Sequence, residues 1–174
     1  SINVKTLKKT SIVCPEDYYF HDFITYSNNG KYIAAIVNPS SDYDGTPLLI
    51  LYDLSKEEWM DPELDMDLTQ YNAWRYYDYD CLAFSEDGSL LSLVSNGEIV
   101  ILDTKTLTIT KTLKASCTTQ CSMQFIDNNT LAVLDDSNKL TIWDVNEQKI
   151  FAESTETLPR LNELVLKILN NEYI

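Results

Sequence analysis

The sequence of 174 residues predicts an all-β fold built from repeated four-stranded antiparallel units. Three observations predict it. First, "ITYSNNGKYIAAIV" (24–37), "LAFSEDGSLLSLVS" (82–95) and "MQFIDNNTLAVLDD" (123–136) align with one another. Each reads as an alternating run, a polar turn and a second apolar run, which is the pattern of a β-hairpin. Second, a further apolar run follows each hairpin and ends on an aspartate. These runs are "PLLILYDLS" (47–55), "EIVILDTKT" (98–106) and "KLTIWDVNE" (139–147), with Asp53, Asp103 and Asp144 at their ends. Third, a more polar run closes each unit: "EEWMDPELDMDL" (57–68), "LTITKTLKA" (107–115) and "QKIFAES" (148–154).

Taken in order, "SINVKTLKKTSI" at the start reads as the outer strand of a preceding unit. The hairpin turns fall at 27–30, 85–88 and 126–129, and Asn96-Gly97 marks a tight turn inside the second unit. The chain has only four glycines, so Asn, Asp and Ser must supply the other turns. The repeat is 41 residues long from Asp103 to Asp144 and 50 from Asp53 to Asp103. The insertion "MDPELDMDLTQYNAWRYYDYD" (60–80) accounts for the longer spacing. The last stretch, "LVLKILNNEYI" (164–174), supports two readings. Leu164, Leu166 and Ile168 alternate as a strand, and Asn170-Asn171 then repeats the turn. Leu161, Leu164, Val165, Ile168 and Leu169 also share one helical face after Pro159.

A four-stranded unit of about 40–45 residues is the signature of a propeller blade. The chain resembles WD40-repeat proteins. Trp143-Asp144 in "LTIWDV" is the family dipeptide, Tyr52-Asp53 and Leu102-Asp103 are degenerate forms of it, and "FSEDGSLL" matches the family's first turn. The resemblance implies a WD40-like β-propeller with three complete blades, near 19–68, 80–115 and 119–155, and partial blades at 1–13 and 158–174. Closed rings take about four to eight blades, so this ring is expected to be incomplete. The chain begins with Ser rather than Met, which fits a processed or excised piece. The rest of a longer chain, or another subunit, would complete the open blade edges. Family blades usually carry a Gly-His pair whose histidine joins a network to the aspartate. The sole histidine here, His21, sits too close to the turn to match it. Asp53, Asp103 and Asp144 are therefore expected to be structural, capping turns.

Composition narrows the function. There are 13 Lys and Arg against 27 Asp and Glu, a net charge of −14. Such a surface repels phosphate backbones, so direct nucleic-acid binding is not expected, and basic protein partners are favoured. The chain has no apolar run of membrane-spanning length and no signal-peptide pattern at its start. The reading is an intracellular protein, nuclear or cytoplasmic. Cys14, Cys81, Cys117 and Cys121 read as free thiols of a reducing compartment.

Little here suits an enzyme. There is no Gly-rich phosphate loop, and a single histidine leaves no credible Ser-His-Asp set. Cys117 and Cys121, placed on a strand, would share a side but stand about 13 Å apart, too far for one metal. No cofactor is expected. The most informative local feature is the insertion with its entry, which interleaves acids and aromatics. Trp59, Asp65, Asp67, Tyr71, Trp74, Tyr76, Tyr77, Asp78 and Asp80 are the candidate partner-binding residues. Aromatics serve as interface anchors, and carboxylates select partners through charge. The competing reading packs those aromatics between blades.

The function expected is a non-catalytic scaffold for protein–protein contacts in a multisubunit complex. "LAFSEDGSLLSLVSNGEIVILDTKT" is similar to the late blades of the WD-repeat subunits shared by COMPASS histone-methyltransferase and RNA 3′-end processing complexes. WD-repeat subunits of ribosome-biogenesis complexes are similar too. Both resemblances imply a nuclear scaffold in chromatin modification, RNA processing or ribosome biogenesis. The alternative is a propeller enzyme with its site at the central channel.

Overall fold

The structure is a computed structural model that describes residues 2–3, 8–9, 11–39, 46–60, 68, 81–115, 117, 121–135 and 137–154. All regular structure among them is β. Two short strands, β1 (Ile2–Asn3) and β2 (Lys8–Lys9), pair as a ribbon of their own. Three four-stranded antiparallel sheets follow, each wound in simple chain order. Blade 1 holds β3 (Tyr18–Tyr26), β4 (Tyr32–Pro39), β5 (Leu48–Asp53) and β6 (Glu58–Met60). Blade 2 holds β7 (Leu82–Phe84), β8 (Leu90–Ser95), β9 (Glu98–Asp103) and β10 (Thr108–Leu113). Blade 3 holds β11 (Ser122–Phe125), β12 (Thr130–Leu134), β13 (Leu140–Asp144) and β14 (Lys149–Glu153). In each blade the four strands are called a to d below.

The a strands gather at the centre, where β7 touches both β3 and β11. The middle strands of every blade are apolar on both faces, and in blade 2 each face meets a neighbouring blade. In blade 2, Leu91, Leu93, Ile99, Ile101 and Leu102 are fully buried. One core runs through the stack. It joins Ala34, Ile36, Leu49 and Leu51 of blade 1 to both faces of blade 2, and then to Met123, Leu131, Val133 and Trp143 of blade 3. The remaining faces form two smaller clusters. Ala35, Val37 and Ile50 lie on the face of blade 1 turned from blade 2, and Ala132, Leu134, Leu140 and Ile142 lie on the corresponding far face of blade 3.

Irregularities recur where the chain must bend. The register of β3 against β4 jumps between Phe20 and Ile24, a bulge that contains His21. In the d strands, one residue is skipped at Thr110 of β10 and at Phe151 of β14. The d strand of blade 1 covers Glu58–Met60; of the sequence reading of 57–68, residues 61–67 fall outside the described residues. The stretch 158–174 lies outside them as well.

Candidate interaction surface

The a–b and c–d turns share one face of the sheets, and their polar side chains are largely consumed in building it. In blade 1 the Ser27 hydroxyl accepts from Tyr32 N–H at 2.8 Å and donates to Asn29 Oδ1 at 2.8 Å, while Asn29 Oδ1 accepts from Lys31 N–H at 2.9 Å. Blade 2 repeats the arrangement with an aspartate. Ser85 Oγ accepts from Leu90 N–H at 2.9 Å and donates to Asp87 Oδ1 at 3.0 Å, which takes Ser89 N–H at 2.9 Å. Blade 3 uses a shorter turn, in which Asp127 accepts from Asn129 N–H and Thr130 N–H, both at 2.7 Å.

The repeat aspartates occupy the c–d turns. Asp53 accepts from Ser55 Oγ–H at 2.6 Å and Ser55 N–H at 2.8 Å. Asp103 accepts from Thr106 N–H at 2.7 Å and Lys105 N–H at 2.9 Å. Asp144 accepts from Glu147 N–H at 2.8 Å and from the Asn129 amide at 3.1 Å. These donors hold all three carboxyls below the usual carboxylate range: the Ser55 hydroxyl foremost for Asp53, and backbone N–H groups for Asp103 and Asp144. Such carboxylates stay ionised and bound to their own turns.

The blades also join through these turns. The Asn29 side-chain amide donates across the seam to the Asp87 carbonyl, and the Asp87 N–H donates to Asn128 Oδ1 at 2.8 Å. The backbone of one turn in blade 2 is thus held from both sides. Gly88 is shaped by that seam: its φ is +72°, and a Cβ there would stand 2.5 Å from Asn29 Nδ2. Farther out, Lys111 Nζ of blade 2 donates to Asn146 Oδ1 of blade 3 at 2.5 Å.

The insertion joins the end of β6 to the start of β7. Of the candidate partner-binding residues, Trp59 alone lies among the described residues. Its ring is half-buried, 5.0 Å edge-on from Tyr52 and 5.7 Å from Phe20, and its indole N–H donates to the Val13 carbonyl at 2.9 Å. Asp65, Asp67, Tyr71, Trp74, Tyr76, Tyr77, Asp78 and Asp80 fall outside the described residues. Leu68, in the same insertion, is buried in the main core.

Exposed apolar side chains mark two further surfaces that sequence reasoning passed over. Ile24 is 52% exposed and Tyr26 74% exposed, opposite Ala35 and Ile33 on the outward face of blade 1. On blade 3, all five residues of β14 are exposed, Phe151 among them at 64%. The alternation in "FITY" carried a signal for the first surface, but alternation alone does not say whether a neighbour covers that face.

Cys81, Cys117 and Cys121 are buried and Cys14 is half-buried, none of them in a disulfide, and burial pushes the Cys14 thiol up. Cys117 precedes β11 rather than lying on a strand. No cluster of three or more metal-ligating side chains occurs among the described residues. No helix among them is long and apolar enough to cross a membrane.

Comparison with solved structures places this geometry. Over 89% of its length the chain superposes on 43% of a chain of the mitotic checkpoint complex, at a TM-score of 0.57 and 18% identity. It likewise covers 43% of U3-55K with 82% of its own length, at 0.53 and 13% identity. The WD40 repeats of RRP9 match at 0.51 and 13% identity, again over 82% of this chain and 43% of that one. The chain has the fold of a WD40 β-propeller segment. Its three WD40 blades span less than half the length of each of these neighbours. No family model and no curated protein matches the sequence.

Proposed function

We propose that this chain is a non-catalytic WD40-type scaffold that carries protein–protein contacts within a multisubunit complex. The observation that supports this most is the division of labour among its side chains. The repeat aspartates are bound up in their turns, whereas apolar side chains stand exposed at Ile24 and Tyr26 and along β14. One structural neighbour is itself part of an assembly, the mitotic checkpoint complex. The net charge of −14 favours basic partners, and the sequence resemblances favour a nuclear complex. In this reading the open blade edges are completed by the rest of a longer chain or by another subunit, and the acidic, aromatic insertion is a partner surface.

The test is purification of the full-length gene product with its stoichiometric subunits, followed by binding measurements. Replacing Asp65, Asp67, Asp78 and Asp80 by Asn slows association and flattens its salt dependence. Trp74→Ala speeds dissociation, by about the 2 kcal/mol of an interface hot spot. Unchanged affinity in both variants removes the insertion from the interface. Hydrolase or transferase activity in the purified chain overturns the scaffold reading itself.

A further inference from the structure

We propose that Asn29 is a spontaneous deamidation site whose conversion uncouples blade 1 from blade 2. The sequence contains two Asn-Gly pairs, Asn29-Gly30 and Asn96-Gly97. A following glycine leaves its backbone nitrogen open to attack the asparagine side chain, because no Cβ stands in the way. At Gly30 the space is open: its φ is +69°, and nothing lies within 4 Å of where a Cβ would be. Asn29 and Gly30 are both exposed.

The reaction needs only water. The Gly30 nitrogen bonds to Asn29 Cγ, and the Cγ–Nδ2 bond breaks. Nδ2 leaves as ammonia, carrying the Gly30 amide proton, and a cyclic imide remains. Water then adds to one of the two imide carbonyls and opens the ring, giving aspartate or isoaspartate.

The molecule already displays the aspartate product in its second blade. Asp87 sits at the turn position of Asn29 and makes the same local bonds, to the Ser85 hydroxyl at 3.0 Å and Ser89 N–H at 2.9 Å. Asn29 makes its counterparts to the Ser27 hydroxyl at 2.8 Å and Lys31 N–H at 2.9 Å through Oδ1. An aspartate at position 29 therefore keeps its own turn. What it loses is Nδ2, the atom that donates across the seam to the Asp87 carbonyl. A carboxylate oxygen then faces that carbonyl, an acceptor against an acceptor. Isoaspartate lengthens the backbone and breaks the Gly30 N–H to Ser27 carbonyl bond as well.

The leaving nitrogen is the one held by blade 2, so the seam gates the reaction. Asn128 steadies the other backbone group of the same residue, accepting from the Asp87 N–H, from blade 3. Weakening that second contact frees Asn29 without touching it. Asn96, in the b–c turn of blade 2, serves as an internal reference.

The experiment ages the full chain at mildly alkaline pH and maps amide-to-acid conversion and isoaspartate by peptide mass spectrometry. Asn29 and Asn96 convert ahead of every other asparagine. Asn128→Ala speeds conversion at Asn29 by about five-fold, the equivalent of one hydrogen bond, and leaves Asn96 unchanged. Separating aged from fresh chain by charge then allows hydrogen exchange on each, with Asn29→Asp as the uniform counterpart. Exchange in β3 and β4 is faster in both, and exchange in β12 and β13 is not. The proposal is overturned if Asn29 keeps its amide while Asn96 converts, if Asn128→Ala accelerates both sites alike, or if exchange in β3 and β4 does not change.

Discussion

The a–b turns and the c–d turns lie on the same face of the three sheets, yet they fill the left-handed backbone region in different ways. The a–b turns of blades 1 and 2 place Gly30 and Gly88 there, at φ +69° and +72°. The c–d turns place Glu57, Leu107 and Gln148 there, at +56°, +55° and +55°, each four residues past the repeat aspartate. A left-handed residue with a side chain costs about 1–2 kcal/mol, so three such residues need a reason. The aspartate supplies it. By accepting the N–H groups two and three residues on, as Asp103 does from Lys105 and Thr106, it fixes the turn that requires the left-handed residue. Glu57 and Gln148 are exposed. At Gly88 the neighbouring blade is the constraint, because Asn29 occupies the space of a Cβ. Gly88 thus meets a constraint from the neighbouring blade that the left-handed residues of the c–d turns do not share.

The sharpest way to break this contrast is Gly88→Ala. It combines a strained φ with displacement of the Asn29 amide from its seam bond, and the expected loss is about 2–3 kcal/mol of unfolding free energy, read from denaturant midpoints. Gly30→Ala bears the same strain with no clash, so its loss stays near 1 kcal/mol. Equal losses would mean that the seam does not select glycine. Next in size is Asp103→Ala, which orphans the Lys105 and Thr106 donors and costs about 1–2 kcal/mol.

The same carboxylates predict the response to acid. Asp53, Asp87, Asp103, Asp127 and Asp144 all sit below the usual carboxylate range. A depressed folded-state pKa contributes stability above the unfolded value of about 4 and loses it as pH falls through the folded value. Thermal midpoints should therefore drop steeply below about pH 4, and Asp103→Asn should shallow that slope. The smallest effect is a gain. Gln148→Gly relieves the left-handed strain of an exposed side chain and raises stability by up to about 1 kcal/mol, less the added freedom of the unfolded chain. A loss on Gln148→Gly would show that the side chain contributes something its exposure hides.

The fold class was legible because the repeat is written three times in period and pattern. An apolar run that ends on Asp53, Asp103 or Asp144 cannot continue a strand without burying a charge, so the strand ends where the sequence says it does. The seam was not legible. Asn29 meets Asp87 across 58 residues and Asp87 meets Asn128 across 41, and no local pattern marks an asparagine that reaches into the next blade. Trp59 shows a related gap. Its indole N–H finds Val13, a partner 46 residues earlier that only the folded sheet brings near. The remaining candidate residues, Asp65 to Asp80, carry a compositional signal without a strand period, so their placement cannot be read from alternation.

The burial of Leu68 changes what the insertion can physically reach. A polypeptide extends by at most about 3.5 Å per residue, so distance from a fixed residue sets a leash. Asp67 adjoins Leu68, and Asp65, three residues away, stays within about 11 Å of it. Trp74, six residues beyond, has a leash of about 21 Å. Buried Cys81 sets a second bound from the far end of the insertion: Trp74, seven residues before it, lies within about 25 Å of it. In the interface proposed above, a partner held through the backbone at Asp65 or Asp67 is anchored within about 11 Å of Leu68, and one held at Trp74 within about 21 Å.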